Sequence, residues 1–243
     1  MIRETVFTLP FGAGIPALTA IDEEASSRGT VLVLHGLGAA KETQRPEIRR
    51  LARAGFRAVA IDAPCHGERR EPFLDEVLEE TGRGCRGKFR ILLARAVAEI
   101  PELIAWFERE YRLPVGLTGI SMGGHTTFCS LLCHPFPKVA VPIIGSPEYP
   151  AAVEGQQTPE SDPAALPLVP LLVVTAGEDT IVPPARARMF VESMRPRYAA
   201  FPDRLRSLEF PASGHMMREE DWKRAWEEIT AWFVRYLPVE PGL

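Results

Sequence analysis

The chain alternates between short apolar runs and longer stretches in which apolar positions recur at helical spacing. Most of the runs lack the apolar–polar alternation of a half-exposed strand, which is typical of strands buried on both faces of a parallel sheet. These predicted strands cover residues 30–34, 56–61, 115–120, 139–144, 171–175 and 205–210. Before them, residues 5–10 and 17–22 flank a Phe-Gly-Ala-Gly sequence and predict an opening hairpin.

The amphipathic stretches predict helices. They cover residues 47–54, 88–111, 122–133, 184–194 and 218–236. Pro101 predicts a kink or a split in the second helix. Pro142 weakens the strand prediction at 139–144, because proline cannot donate to a central ladder. The closing helix carries an apolar face that is most simply read as core, formed by Trp222, Ala225, Trp226, Ile229, Trp232 and Phe233.

Strands and helices alternating after a hairpin predict an α/β fold with a mostly parallel central sheet and helices on both faces. A length of 243 residues fits one domain spanning residues 1–243. Residues 63–87 show no regular pattern. We expect at most a small lid, from segments 65–87 and 145–168. In such sheets the chemistry lies at the carboxyl ends of the strands.

Composition narrows the class of protein. A net charge of −4 argues weakly against a nucleic-acid binder. No stretch reaches 18 apolar residues and the first residues lack an apolar signal core, so we expect a cytoplasmic protein without a membrane span. Four cysteines do not suggest a disulfide framework.

A Gly-x-Ser-x-Gly sequence lies between a predicted strand and a predicted helix. It is formed by Gly119, Ser121 and Gly123, with Ser121 on the sharp turn. Side chains at the two glycine positions would crowd their neighbours, and the helix N-terminus favours negative charge at the serine. A glycine-rich turn without chemistry has the same pattern, so the motif alone is only moderately specific.

The residues that activate a serine follow two later strands. A serine hydroxyl needs a base, and the base needs an orienting acid. His215 follows the strand at 205–210, and Asp179 follows the strand at 171–175, with Glu178 as the reserve acid. The order Ser121, Asp179, His215 is the order that an α/β hydrolase requires.

An oxyanion hole is the third requirement of acyl transfer. One donor is expected to be the backbone N–H of Met122, directly after the nucleophile. The loop after the strand at 30–34 reads His35-Gly36-Leu37-Gly38 and resembles the His-Gly-x-Gly loop of esterases. That resemblance implies the Leu37 N–H as the second donor.

Together these motifs identify a resemblance to small α/β hydrolases over residues 30–236. Asp62-Ala63-Pro64-Cys65-His66-Gly67 is also similar to bacterial carboxylesterases grouped with prolyl oligopeptidases and dienelactone hydrolases. The resemblance implies a serine esterase that uses no cofactor or metal and acts on a small-molecule ester. We expect short-acyl esters in a small apolar pocket lined by Leu37, Met122, Ile181 and Met216.

Three alternatives share the same residues: a peptidase, an acyltransferase, and a non-enzymatic receptor that keeps the fold. Among the remaining histidines, chain order argues against His66 as the base, and His35 is expected to hydrogen-bond the Leu37 loop. Cys129 and Cys133 share a helix face with His125. This leaves a zinc site open, although buried small hydrophobes fit the pattern better.

Overall fold

The computed structural model describes residues 1–84, 86–148, 159 and 163–237. Eight strands form one sheet in the order β1-β2-β4-β3-β5-β6-β7-β8. They are β1 (Ile2–Leu9), β2 (Ile15–Asp22), β3 (Thr30–Leu34), β4 (Arg57–Ile61), β5 (Val115–Ile120), β6 (Val139–Ile143), β7 (Leu171–Ala176) and β8 (Leu205–Phe210). The pairs that involve β2 are antiparallel and the others are parallel. The predicted mostly parallel sheet is therefore confirmed.

Helices cover both faces of this sheet. They are α1 (Arg45–Arg53), α2 (Phe73–Gly82), α3 (Gly87–Tyr111), α4 (Met122–Ser130), α5 (Ala185–Met194) and α6 (Glu219–Tyr236). Helices α1 and α6 pack on one face, and α3, α4 and α5 pack on the other. Strand β3 shows why its sequence lacks alternation. Val31 and Val33 join the first core, and Leu32 and Leu34 join the second.

The structure differs from the prediction in three elements. The segment at 63–87 is not irregular throughout, because it contains helix α2. The pattern of α2 is weak because Leu74 and Val77 are its only buried side chains. Pro101 lies inside a continuous helix α3 and does not split it. Helix α4 ends at Ser130, three residues earlier than predicted.

Pro142 lies within the central strand β6, opposite Gly119 of β5. On the other side, the register to β7 is formed by Ala140 opposite Leu171 and by Ile143 opposite Val174, which flank the proline. The sheet therefore keeps its pairing on both sides of the residue that cannot donate.

Of the predicted lid segment 145–168, residues 149–158 and 160–162 lie outside the described residues, as does Cys85. Residues 163–165 form a short 3-10 turn. In the part of the chain that the structure describes, no helix combines the length and the apolar content needed to span a membrane.

Candidate active site

The turn between β5 and α4 holds Ser121 in a strained conformation. Ser121 has φ 55° and ψ −110°, which is rare for a residue with a side chain. A Cβ added to Gly119 would lie 2.3 Å from the carbonyl oxygen of Gly123, and one added to Gly123 would lie 2.4 Å from that of Leu34. The two glycines are therefore required by the close packing of this turn. The Ser121 N–H donates to the carbonyl of Ile143 (2.9 Å), which ties the turn to β6.

His215 lies in the loop after β8 and reaches the serine. Its Nε2 is 3.0 Å from Ser121 Oγ, and its Nδ1 is 2.7 Å from Asp179 Oδ2. A proton on Nδ1 faces the carboxylate, so the Nε2 lone pair is free to accept the serine proton. The imidazole is 15% exposed, whereas the Asp179 carboxylate is 1% exposed.

The backbone of its own turn holds the Asp179 carboxylate. Oδ1 accepts the N–H groups of Ile181 (2.9 Å) and Val182 (2.8 Å), which leaves Oδ2 for the histidine. The Glu178 N–H donates to the Ser213 carbonyl (2.9 Å), joining the acid loop to the histidine loop. Asp179, and not the reserve residue Glu178, is therefore the acid that contacts His215.

The Leu37 loop passes directly against the nucleophile. A Cβ added to Gly36 would lie 3.7 Å from the Ser121 Cβ. Within the described part of the chain, neither the Leu37 N–H nor the Met122 N–H has a hydrogen-bond partner. Both expected donors are therefore unpaired. Met122 directly follows the serine in the chain, and the loop that carries Leu37 lies against the serine in space.

Two histidines connect the Leu37 loop to the loop after β4. His35 Nδ1 donates to the Gly36 carbonyl (2.8 Å), and its Nε2 accepts the Ala63 N–H (3.1 Å). His66 Nε2 accepts the Gly38 N–H (3.0 Å). Both roles need a neutral ring. Burial lowers the pKa of His35 to about 4 and also lowers the pKa of His66.

Asp62 and Lys41 hold the end of the Leu37 loop in place. The fully buried Asp62 carboxylate accepts the Lys41 N–H (2.9 Å), the Lys41 Nζ (2.9 Å) and the Glu68 N–H (3.0 Å). Burial lowers the pKa of the Lys41 ammonium, but its bonds to Glu68, Glu42 and Asp62 outweigh that effect and raise the pKa overall. This network was missed at the sequence level. Its one signal was Asp62 in the motif at 62–67.

A cavity of about 550 Å³ opens beside Ser121 and His215, within the range of small-ligand sites. Its wall is mainly apolar, with Gln44 as a polar member. The lining residues are Gly36, Leu37, Ala39, Gln44, Ile120, Ser121, Ile144, Ile181, His215, Met216, Met217 and Trp222. Of the residues expected in the substrate pocket, Leu37, Ile181 and Met216 line this cavity.

Met122 is a correction to the predicted pocket. Its side chain is 1% exposed and packs in the cluster formed with α2 and α3, so it does not line the cavity. The direction of the side chain follows from the sharp turn at Ser121, after which Met122 is the first residue of α4. The sequence also missed Gln44, directly before α1, and Trp222, in α6, because these two residues reach the cavity from distant parts of the chain.

Helix α4, which begins directly after the serine, contains His125 and Cys129. His125 Nδ1 donates to the Ser121 carbonyl (2.9 Å), and burial lowers the pKa of this ring to about 4. Cys129 is buried in an apolar cluster. Among the described residues, no group of three or more histidine, cysteine, aspartate or glutamate side chains could hold a metal ion.

Comparisons with known proteins identify the family that the chain is similar to. A model of the alpha/beta hydrolase family matches residues 31–164. "Putative esterase YitV" of Bacillus subtilis (strain 168) is 30% identical over 257 residues, covering 93% of this chain and 96% of the relative.

Solved structures are similar over nearly the whole chain. A "Putative Dienelactone Hydrolase" from Klebsiella pneumoniae subsp. pneumoniae MGH 78578 has a TM-score of 0.73 at 22% identity, covering 97% of this chain and 100% of that chain. A cold-adapted esterase from an Arctic intertidal metagenomic library has a TM-score of 0.65 at 19% identity, covering 97% and 94%. At these identities the likeness concerns the fold, and it confirms the predicted fold class.

Proposed function

Because the chain belongs to the α/β-hydrolase family, we propose that it is a serine esterase that cleaves carboxylic esters through Ser121, His215 and Asp179. The observation that carries this proposal is the continuous hydrogen-bond chain from the serine hydroxyl to the buried carboxylate, with distances of 3.0 and 2.7 Å. Such a chain is what a weakly nucleophilic hydroxyl needs for activation.

The reaction proceeds in two steps. His215 Nε2 takes the hydroxyl proton while Ser121 Oγ attacks the ester carbonyl, and Asp179 stabilises the imidazolium. His215 then gives its proton to the leaving alcohol as the acyl-enzyme forms. In the second step His215 deprotonates a water molecule, which attacks the acyl carbonyl. As the bond from the acyl carbon to Ser121 Oγ breaks, His215 returns the proton to Oγ, which releases the acid and regenerates the serine.

The oxyanion is stabilised by two backbone donors, the N–H groups of Leu37 and Met122. Support comes from their lack of other partners in the described part of the chain and from the approach of Gly36 to the serine. Donors that are held in place before the reaction lower the barrier without reorganising, and each contributes about 3–4 kcal/mol. The network of His66, Asp62 and Lys41 holds the loop that presents Leu37.

Short-acyl esters are the proposed substrates. The cavity volume of about 550 Å³ suits a small ligand, and its largely apolar wall suits an aliphatic acyl group. Trp222 has the largest side chain of that wall, which also contains Met216 and Met217.

Labelling with a fluorophosphonate probe tests the enzymatic proposal. We expect wild-type protein to be labelled and to hydrolyse p-nitrophenyl butyrate. Ser121→Ala should do neither while unfolding at the same urea concentration as wild type. A wild-type protein that resists the probe and binds ligands as Ser121→Ala does would favour a receptor and refute the esterase.

A substrate panel tests the narrower claims. Turnover of p-nitrophenyl acetate and butyrate should exceed that of the decanoate, and faster cleavage of the decanoate would refute the short-acyl proposal. Matched ester and anilide substrates separate an esterase from a peptidase. Product analysis with an added alcohol acceptor separates hydrolysis from acyl transfer.

A further inference from the structure

Ile144, the residue that follows β6, has a backbone conformation that its side chain disfavours. Its φ is 43°, in the left-handed region, where a β-branched residue is a clear outlier. Glycine adopts this region without steric cost. A position that served only to turn the chain would therefore favour glycine, so the isoleucine side chain needs an explanation of its own.

Contacts on both sides of Ile144 hold this conformation. Its N–H donates to the Val174 carbonyl of β7 (2.8 Å), and the carbonyl of the residue before it accepts the Ser121 N–H (2.9 Å). The following residue, Gly145, packs so closely on α4 that an added Cβ would lie 2.4 Å from the carbonyl carbon of Gly124. The contacts that hold the turn of the nucleophile therefore also fix the direction of the Ile144 side chain.

The Ile144 side chain separates the cavity from the core. It is 4% exposed, belongs to the core cluster that α1 and α6 cover, and lines the cavity together with Ser121. The sheet order places β6 between the strand that leads to Ser121 and the strand that leads to Asp179. An acyl group attached to the serine therefore occupies a cavity whose wall contains Ile144.

We propose that Ile144 is a specificity-determining residue that limits the length of the acyl chain. The inference rests on the proposed esterase function and assigns its short-acyl preference to one side chain. Because the backbone is held on both sides, this side chain cannot move away with it when a longer chain enters. Met216 and Met217 of the same wall are unbranched and flexible, so they adapt more easily to a longer chain.

The acyl-chain profile of two Ile144 variants tests the inference. p-Nitrophenyl butyrate and p-nitrophenyl octanoate share a leaving group, and the readout is kcat/KM for the octanoate divided by kcat/KM for the butyrate. In Ile144→Ala this ratio should rise about tenfold over wild type, because most of the side chain leaves the wall. Ile144→Val, which is one methyl group smaller, is the second variant if Ile144→Ala fails to fold, and it should raise the ratio by a smaller factor.

The backbone conformation of Ile144 makes a separate prediction. Ile144→Gly should unfold at a higher urea concentration than Ile144→Ala, because glycine adopts a positive φ freely and alanine does not. Ile229 supplies the control, since it is fully buried in the same core cluster but lies inside α6 and away from the cavity wall. There alanine should be more stable than glycine, and Ile229→Ala should keep the wild-type ratio of octanoate to butyrate.

The outcomes distinguish this inference from the esterase proposal. If wild type hydrolyses the butyrate but neither Ile144→Ala nor Ile144→Val changes the ratio, the inference is overturned and the esterase proposal stands. An equal rise in Ile229→Ala also overturns it, because the cavity would then widen through the core and not at Ile144. A lower stability of Ile144→Gly than of Ile144→Ala would overturn the held backbone on which the inference depends. A protein that hydrolyses no ester overturns both proposals.

Discussion

The contact between Asp62 and Lys41 should be worth several kcal/mol, and Asp62→Asn is the change that measures it. The carboxylate is fully buried and accepts three hydrogen bonds, from the Lys41 N–H, the Lys41 ammonium and the Glu68 N–H. Asparagine offers one oxygen and one NH₂ group. In either orientation, at least one of the three donors then faces another donor.

Two estimates of the cost agree. Breaking a buried ion pair by neutralising one partner costs about 3–5 kcal/mol. Counted by contacts, losing one charge-assisted bond costs about 1.5–3 kcal/mol, and leaving a buried donor unsatisfied adds about 1–3 kcal/mol. We therefore expect Asp62→Asn to lower the free energy of unfolding by about 3–5 kcal/mol.

Glu68→Gln provides the matched control, because Glu68 binds the same ammonium from the surface. Its side chain is 63% exposed, so its loss should cost only about 0–1 kcal/mol. Urea unfolding at pH 7 measures both variants. If the two shifts are equal, or if Asp62→Asn shifts the free energy by less than 1 kcal/mol, burial does not set the strength of this contact.

The same substitution also tests the link from this network to the oxyanion loop. Asp62 holds the backbone N–H of Lys41, four residues after Leu37. Loosening that anchor should lower kcat for p-nitrophenyl butyrate more than it raises KM, because the oxyanion forms only in the transition state. Under folded conditions Glu68→Gln should keep the wild-type kcat, and an equal loss in both variants would contradict the link.

Three further predictions follow from single contacts. Burial lowers the pKa values of His35 and His125 to about 4 from 6.5, so below pH 6.5 the unfolded chain binds protons that the folded chain does not. The free energy of unfolding should therefore fall as the pH drops from 6.5 to about 4, and His125→Asn should flatten that slope in urea titrations. Gly123→Ala should destabilise by about 1–3 kcal/mol through its clash with a backbone carbonyl, whereas Gly82→Ala meets no atom within 4 Å and should be neutral or stabilising in thermal unfolding. Asp179→Asn should lower kcat by roughly 10³–10⁴-fold without a matching change in KM, and an unchanged kcat would remove Asp179 from the mechanism.

The sequence predicted most of the sheet because the strands are local signals. Each central strand is buried on both faces, so its own residues must be apolar, and the run is visible without any knowledge of the neighbours. The elbow at Ser121 is equally local, since its glycines are demanded by atoms within a few residues or on the adjacent strand. Helix α2 was missed because its local signal is weak: it buries only Leu74 and Val77.

The parts that escaped prediction depend on contacts between distant segments. His66 accepts from Gly38 across 28 positions, and Trp222 donates to Glu47 across 175. Chain order argued correctly that His66 is not the histidine that faces the serine, but order alone carries no information about which loop it supports. That information exists only once β3 and β4 lie side by side.

Trp222 shows why the cavity wall was harder to predict than the residues around the serine. The helical spacing of α6 placed it on the core face, and it does pack against that core. The same side chain also lines the cavity and donates to a buried carboxylate of α1, because α6 and α1 lie against each other on one face of the sheet. An apolar position in a pattern therefore predicts burial well, but whether the buried surface faces protein or an open cavity depends on the partner helix.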